Sequence, residues 1–230
     1  MGQIALGSRL ERSAGQNDLF LIGVSNEGSK VAIKQFFTFG NLDDEVATAL
    51  QFHHDTVYIS GSFRGSTEFG RFVKNSSGKS DGFVAKTKLE NFRDFSWIVT
   101  MGGSGRDLVR DIFLSNDSLY VVGTFEESVR FGNEFIKATN SLNSFVGRLD
   151  AGRGNTLSHY KFNGEGNHVA RAVRVWENSG KVVVAGDFNG QVSTSRKTLK
   201  SEEKNDLFIM SLDSSLQPDR VLGIGGDGQE

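Results

Sequence analysis

Leu119-Tyr-Val-Val-Gly-Thr-Phe-Glu-Glu-Ser-Val-Arg-Phe-Gly132 decides how this chain is read. Its first seven residues recur as Val57-Tyr-Ile-Ser-Gly-Ser-Phe63 and as Val182-Val-Val-Ala-Gly-Asp-Phe188. The Phe-Gly that closes the stretch recurs at Phe69-Gly70. A second pattern keeps step with the first. Asp or Asn, any residue, Phe and an apolar residue occur in that order, with Phe at positions 20, 83, 145 and 208, spaced by 63, 62 and 63 residues. Gly61, Gly123 and Gly186 hold the same interval, as do Gly7, Gly70 and Gly132, with Ser195 in the fourth place. Glycines or their remnants follow at Gly40, Gly102-Gly103, Gly164 and Gly225-Gly226. Independent markers on one period mean an internal repeat, which sets the architecture.

Working outward from Leu119, each unit reads as about four strands. In this unit they are 109–114, 119–125, 144–149 and 156–162, with a short extended piece at 129–136 in the long connection. Turn-forming clusters join the first two strands at His53-His-Asp-Thr56, Ser115-Asn-Asp-Ser118 and Glu177-Asn-Ser-Gly180. In the third strand Phe20, Ile22 and Val24 share a face, as do Phe208, Met210 and Leu212, with Leu21 and Ile209 on the other. Period two marks a strand, and apolar residues on both faces mark a strand between two layers. The composition agrees: 28 Gly and one Pro alternate with aromatic-rich segments, and no stretch carries helical periodicity. The units fall at 1–40 (partial), 41–103, 104–164 and 165–226, in one domain. The chain holds four third strands but three second strands, so the first unit keeps only its last two.

The order Val/Leu-Tyr-x-x-Gly-Ser/Thr-Phe, Phe-Gly, Asp-x-Phe-Val-x-x-Leu, then Trp97-x-x-x-x-Gly-Gly-x-Gly-x-Asp107 resembles the bacterial β-propeller repeat called SBBP. The resemblance covers nearly the whole chain. It weakens where Ser195 replaces the glycine of Phe-Gly and where His168 replaces Asp. It implies an all-β propeller of four-stranded antiparallel blades, here about three and a part, in a secreted or surface protein of bacteria. It implies no single activity, since fold does not fix function. Propellers normally close with at least four blades. The expectation is therefore an open arc, completed by more of a parent protein or by a second subunit, as in a homo-oligomer.

The charge balance offers no general basic field. Lys and Arg total 26 against 28 Asp and Glu, a net charge of −2, so neither nucleic acid nor an anionic membrane is an expected partner. No apolar run reaches the length of a membrane helix. Absence of Cys excludes thiol catalysis and disulfides.

Candidate chemistry is sparse. Gly102-Gly-Ser-Gly-Arg-Asp107 fits the nonapeptide of calcium-binding β-rolls, but its copies lie about 62 residues apart rather than nine, so it reads as a turn between units. No cofactor is expected, with calcium near Asp44 and Asp107 as the one alternative; these two carboxylates are read as equivalent positions. Gly78-Lys79-Ser80 lacks the spacing and the helix of a phosphate loop. His53 and His54 share a turn, and His159 lies in a strand. Trp97, Trp176, Tyr58, Tyr120 and Tyr160 fall in or beside strands and read as core. No nucleophile elbow or His-Glu-x-x-His motif occurs, so the chain reads as a non-enzymatic module. The polar connections 64–80, 126–142 and 189–204, with the glycine turns, form the candidate binding face. Arg64, Arg106, Asp107 and His168 are its candidate ligand-binding residues, and the expected partner is a glycan or a protein. A structural spacer, or a hydrolase or lyase using funnel carboxylates, is the alternative.

Overall fold

The computed structural model describes residues 2–6, 9–201 and 204–225. All regular structure among them is antiparallel β. Three sheets follow one another along the chain, two of four strands and the third of five. The first consists of Glu45–His53, Thr56–Phe63, Asp81–Lys88 and Asn91–Met101. The second consists of Asp107–Ser115, Ser118–Phe125, Asn143–Asp150 and Thr156–Lys161, and the third of Gly166–Trp176, Lys181–Ser193, Asp206–Leu212 and Pro218–Ile224, with Thr198–Lys200 paired to the end of Lys181–Ser193. In each sheet the spatial order is the chain order. Ahead of them, Leu19–Glu27 pairs with Lys30–Phe39 alone, as a two-stranded sheet. Among the described residues the sheets form no closed ring.

The second strand is internal in every sheet, which explains its apolar run. Every residue of Ser118–Phe125 is buried. Its glycine is forced by a cross-strand neighbour. Gly123 stands opposite Phe145, and a Cβ there would lie 2.5 Å from the Phe145 ring and 2.2 Å from the Leu108 carbonyl oxygen. Gly61 faces Phe83 and Gly186 faces Phe208 in the same register. The repeated Gly and the repeated Phe are thus two halves of one packing arrangement, in which backbone makes room for a ring.

The long connection departs from expectation. In place of one extended piece at 129–136, Ser128–Phe131 and Glu134–Lys137 form a separate hairpin, matched by Ser66–Phe69 and Phe72–Asn75. Gly132 and Gly70 turn these hairpins at φ of 57° and 58°, which accounts for the Phe-Gly motif. Where Ser195 stands instead, a side chain holds the turn: Thr194 N–H donates to the Lys197 carbonyl at 2.8 Å, and Thr194 Oγ1 accepts from Lys197 N–H at 3.0 Å.

Three hydrophobic clusters fill the spaces between successive sheets. Leu19, Leu21 and Phe39 of the leading hairpin pack with Ile59, Phe83 and Phe95 of the first sheet. Tyr58, Val84 and Trp97 of the first sheet pack with Val109, Ile112 and Phe145 of the second. Val122, Val146 and Phe162 of the second pack with Val173, Phe208 and Met210 of the third. The third strands of the first and second sheets therefore send alternate side chains to two different neighbours. Tyr58 and Trp97 are buried, and each polar end finds a carbonyl: Tyr58 O–H reaches Ala151 at 3.1 Å and Trp97 Nε1–H reaches Gly152 at 3.0 Å. Trp176 corrects the sequence reading, being 64% exposed. Val175 packs into the last cluster, so period two turns Trp176 to the opposite face, where no further sheet lies among the described residues.

Candidate functional site

At the ends of the strands where the glycine turns cluster, a cleft of about 470 Å³ opens, lined by Asp44, Val46, Ser62, Arg64, Lys79, Ser80 and Arg106. Its walls follow from the repeat. Arg64 leaves the second strand of the first sheet, and its N–H donates to the Asp44 carbonyl at 3.1 Å. Arg106 enters the first strand of the second sheet and forms a parallel bridge with Ser80. Asp107 N–H reaches the Ser80 carbonyl at 2.9 Å, and Lys79 N–H reaches the Gly105 carbonyl at 2.9 Å. Backbone bonds from two successive sheets thus fix the three cationic residues around one space.

The cleft carries more positive than negative charge. Arg64 pairs with Asp43 at 3.7 Å and Lys79 with Glu126 at 3.4 Å, each with an exposed cation, where such pairs bind weakly. Arg106 makes no side-chain ion pair among the described residues; its backbone N–H donates to Glu126 Oε2 at 3.3 Å. Asp44 is the lining carboxylate, and its Oδ1 accepts from Asn17 Nδ2 at 2.7 Å. The arrangement suits a ligand group with a carboxylate or sulfate, presented to a guanidinium that has no ion-pair partner among the described residues.

Of the four nominated residues, Arg64 and Arg106 meet in this cleft. Asp107 and His168 lie inside the sheets. Asp107 Oδ2 accepts from Gly103 N–H at 2.8 Å, while its Oδ1 has no partner. Burial pushes the Asp107 carboxyl up to about 8, aided by the nearby Asp81 charge and opposed by the Gly103 N–H. His168 Nε2 lies 2.6 Å from the Gln191 carbonyl, and burial lowers its pKa, so the ring is neutral and donates from Nε2. Both residues clamp loops to strands.

The register also corrects the pairing of Asp44 with Asp107. Asp107 stands opposite Phe125, His168 opposite Phe188 and Glu45 opposite Phe63. Glu45 is therefore the counterpart of Asp107, and Asp44 that of Arg106. Glu45 plays the same part, its Oε2 accepting from Asn41 N–H at 3.1 Å and its Oε1 from Thr67 Oγ1 at 2.8 Å; burial raises its pKa.

A second acidic position lies across each junction. Asp81 Oδ1 accepts from Ser77 N–H at 3.0 Å, and its carboxyl sits where a Cβ on Gly102 would lie, 2.0 Å from Cγ. Asp18 with Gly40 and Asp206 with Gly225 repeat this. In the remaining unit Asn143 takes the acidic position, its Oδ1 accepting from Thr139 N–H at 3.3 Å. Among the described residues no group of three or more His, Asp or Glu side chains is placed to hold a metal ion.

Sequence reading passed over Lys79, which it took for a plain loop residue. The signal available was its place in the named 64–80 connection, two residues before Asp81. His159 stacks on Phe131 with centroids 5.1 Å apart. A larger recess of about 620 Å³ lies at the opposite strand ends, among the turns of His53, Asn116-Asp117 and Glu177 to Gly180, and no Lys or Arg lines it. No family model matches this chain, and no curated protein matches it.

Proposed function

We propose that this chain is a binding module of a bacterial secreted or surface protein, built as an arc of propeller blades. Its loop face holds an acidic glycan or an acidic protein segment. The observation that carries the reading is the cleft between the first two sheets, where Arg64, Lys79 and Arg106 converge and the Arg106 side chain has no counter-ion among the described residues. The site has a basic group held by backbone bonds from two sheets, but no paired acid and base around a reacting position, and so favours binding over catalysis. The propeller reading is supported by three meanders of the same order, by their shared register, and by cores formed between successive sheets. SBBP-type repeats are the family that this pattern suits.

The test is titration calorimetry of the chain with an oligogalacturonate. Binding should weaken with added salt, as exposed charge interactions do. Arg106→Ala should lower affinity by about tenfold, near the worth of one charged hydrogen bond, with unfolding unchanged. Binding that is insensitive to salt and to Arg106→Ala would refute the assignment of the cleft.

A further inference from the structure

The leading hairpin of Leu19–Glu27 and Lys30–Phe39 differs from the three sheets in one respect. In each sheet the third strand is hydrogen-bonded to a second strand; Leu19–Glu27 has no such neighbour among the described residues. Its nine residues leave one edge of backbone N–H and C=O groups open.

The side chains around that edge are uncovered in a matching pattern. Phe20 is 47% exposed, whereas its counterparts Phe83, Phe145 and Phe208 are at most 1% exposed. Each counterpart pairs with the Phe two residues past its cross-strand glycine, with ring centroids 6.3 Å apart for Phe83 and Phe63, 6.4 Å for Phe145 and Phe125, and 6.3 Å for Phe208 and Phe188. Across the gap, Leu50 of the first sheet is 58% exposed, whereas its counterparts Ile112 and Val173 are at most 2% exposed. Ile112 shares its cluster with Tyr58, which comes from the second strand of the preceding sheet. Leu50 lacks the second strand of a preceding unit; Phe20 lacks that strand beside it and also the preceding sheet that each of its counterparts packs against.

We propose that the open edge of Leu19–Glu27 and the uncovered Leu50 and Phe52 form a docking slot for a β-hairpin from a partner polypeptide. Its edge strand reads aromatic or apolar, any two residues, Gly, any residue, Phe. The requirement is read from the three filled slots of the same molecule, Tyr58 to Phe63, Tyr120 to Phe125 and Val183 to Phe188. Main-chain bonds to the edge supply affinity, and alternate side chains supply specificity. The Gly is opposite Phe20, because the ring of each counterpart occupies the Cβ position of its cross-strand glycine. The Phe two residues later adjoins Phe20. The residue three before the Gly turns the other way and covers Leu50. The slot is continuous with the core already formed by Leu19, Leu21, Phe39 and Ile59, so the hairpin extends an existing interface.

The inference does not depend on the cleft at Arg106, which lies between the first and second sheets. The test is to add a synthetic peptide with the Asp107–Phe125 sequence to the chain and follow hydrogen exchange and affinity. The expected result is saturable binding with protection at every second amide of Leu19–Glu27. The same peptide with Gly123→Val should bind about tenfold more weakly or worse, since the added methyls meet Phe20. Arg106→Ala in the chain should leave peptide binding unchanged, which separates this slot from the loop-face cleft. Equal binding by the Gly123→Val peptide, or no protection of Leu19–Glu27 at saturating peptide, would overturn the proposal. A chain that protects this edge by associating with itself, and so excludes the peptide, would also overturn it, assigning the slot to a second copy.

Discussion

Asp107 shows how one buried carboxyl ties sequence to pH dependence. Its pKa is 3.8 in the unfolded chain and about 8 in the fold, chiefly through burial. Between those values the unfolded chain has released the proton and the folded chain still holds it. Stability therefore falls as pH rises, by up to ~1.4 kcal/mol per pH unit for one group. Glu45 and Asp81, also raised by burial, act with the same sign. His168 acts in the other direction: its pKa is lowered from 6.5, so below that value the unfolded chain takes up a proton that the fold refuses. Urea unfolding from pH 5 to pH 8 should show a declining midpoint that flattens in Asp107→Asn; an unchanged slope would place the titrating group elsewhere. Packing at this scale is as specific. Phe83→Ala should cost about 3–5 kcal/mol, the usual range for a buried ring, and Phe20→Ala well under that. Equal losses in a paired denaturation series would mean that Phe20 is covered.

The strands are the elements most legible in the sequence. The second strands declare themselves by apolar runs, and the third by alternation around a fixed Phe. The hairpin Ser128–Phe131 with Glu134–Lys137 was hidden, because two strands of four residues are too short to show a period. The offset between Asp44 and Glu45 was hidden for a different reason. Asp43-Asp44-Glu45 offers three acids in a row, and the pairing with Phe63 selects one. Arg64 and Arg106 could be brought to one region by counting along the repeat. Counting could not say that Asp107 and His168 turn inward, because that depends on which side of the pleat each occupies. Gly123→Val tests the central element: it should destabilise by about 3 kcal/mol or abolish folding, since the contacts are backbone and a packed ring. Near-normal stability by thermal melt would refute the account of the repeated glycine.

Across the whole molecule, each core cluster joins neighbours in sequence only, from the leading hairpin to the third sheet. Such a chain of interfaces loses structure from where it is least covered. Amides of Ser118–Phe125, flanked by strands on both sides and by sheets on both faces, should exchange only with global unfolding. Those of Leu19–Glu27 should exchange at least ~100-fold faster in the chain alone, as open edges do. Comparable rates in the two segments would mean that the hairpin and the second sheet open as one body.

The two tryptophans make the chain its own optical ruler. Trp97 is sealed between the first and second sheets with its indole N–H bonded to Gly152, and Trp176 stands in water on the third sheet. Iodide should quench one emitter and spare the other. The blue-shifted light then reports the integrity of an internal junction, and the red-shifted light reports whatever settles on the outer face of the third sheet, without a label on either.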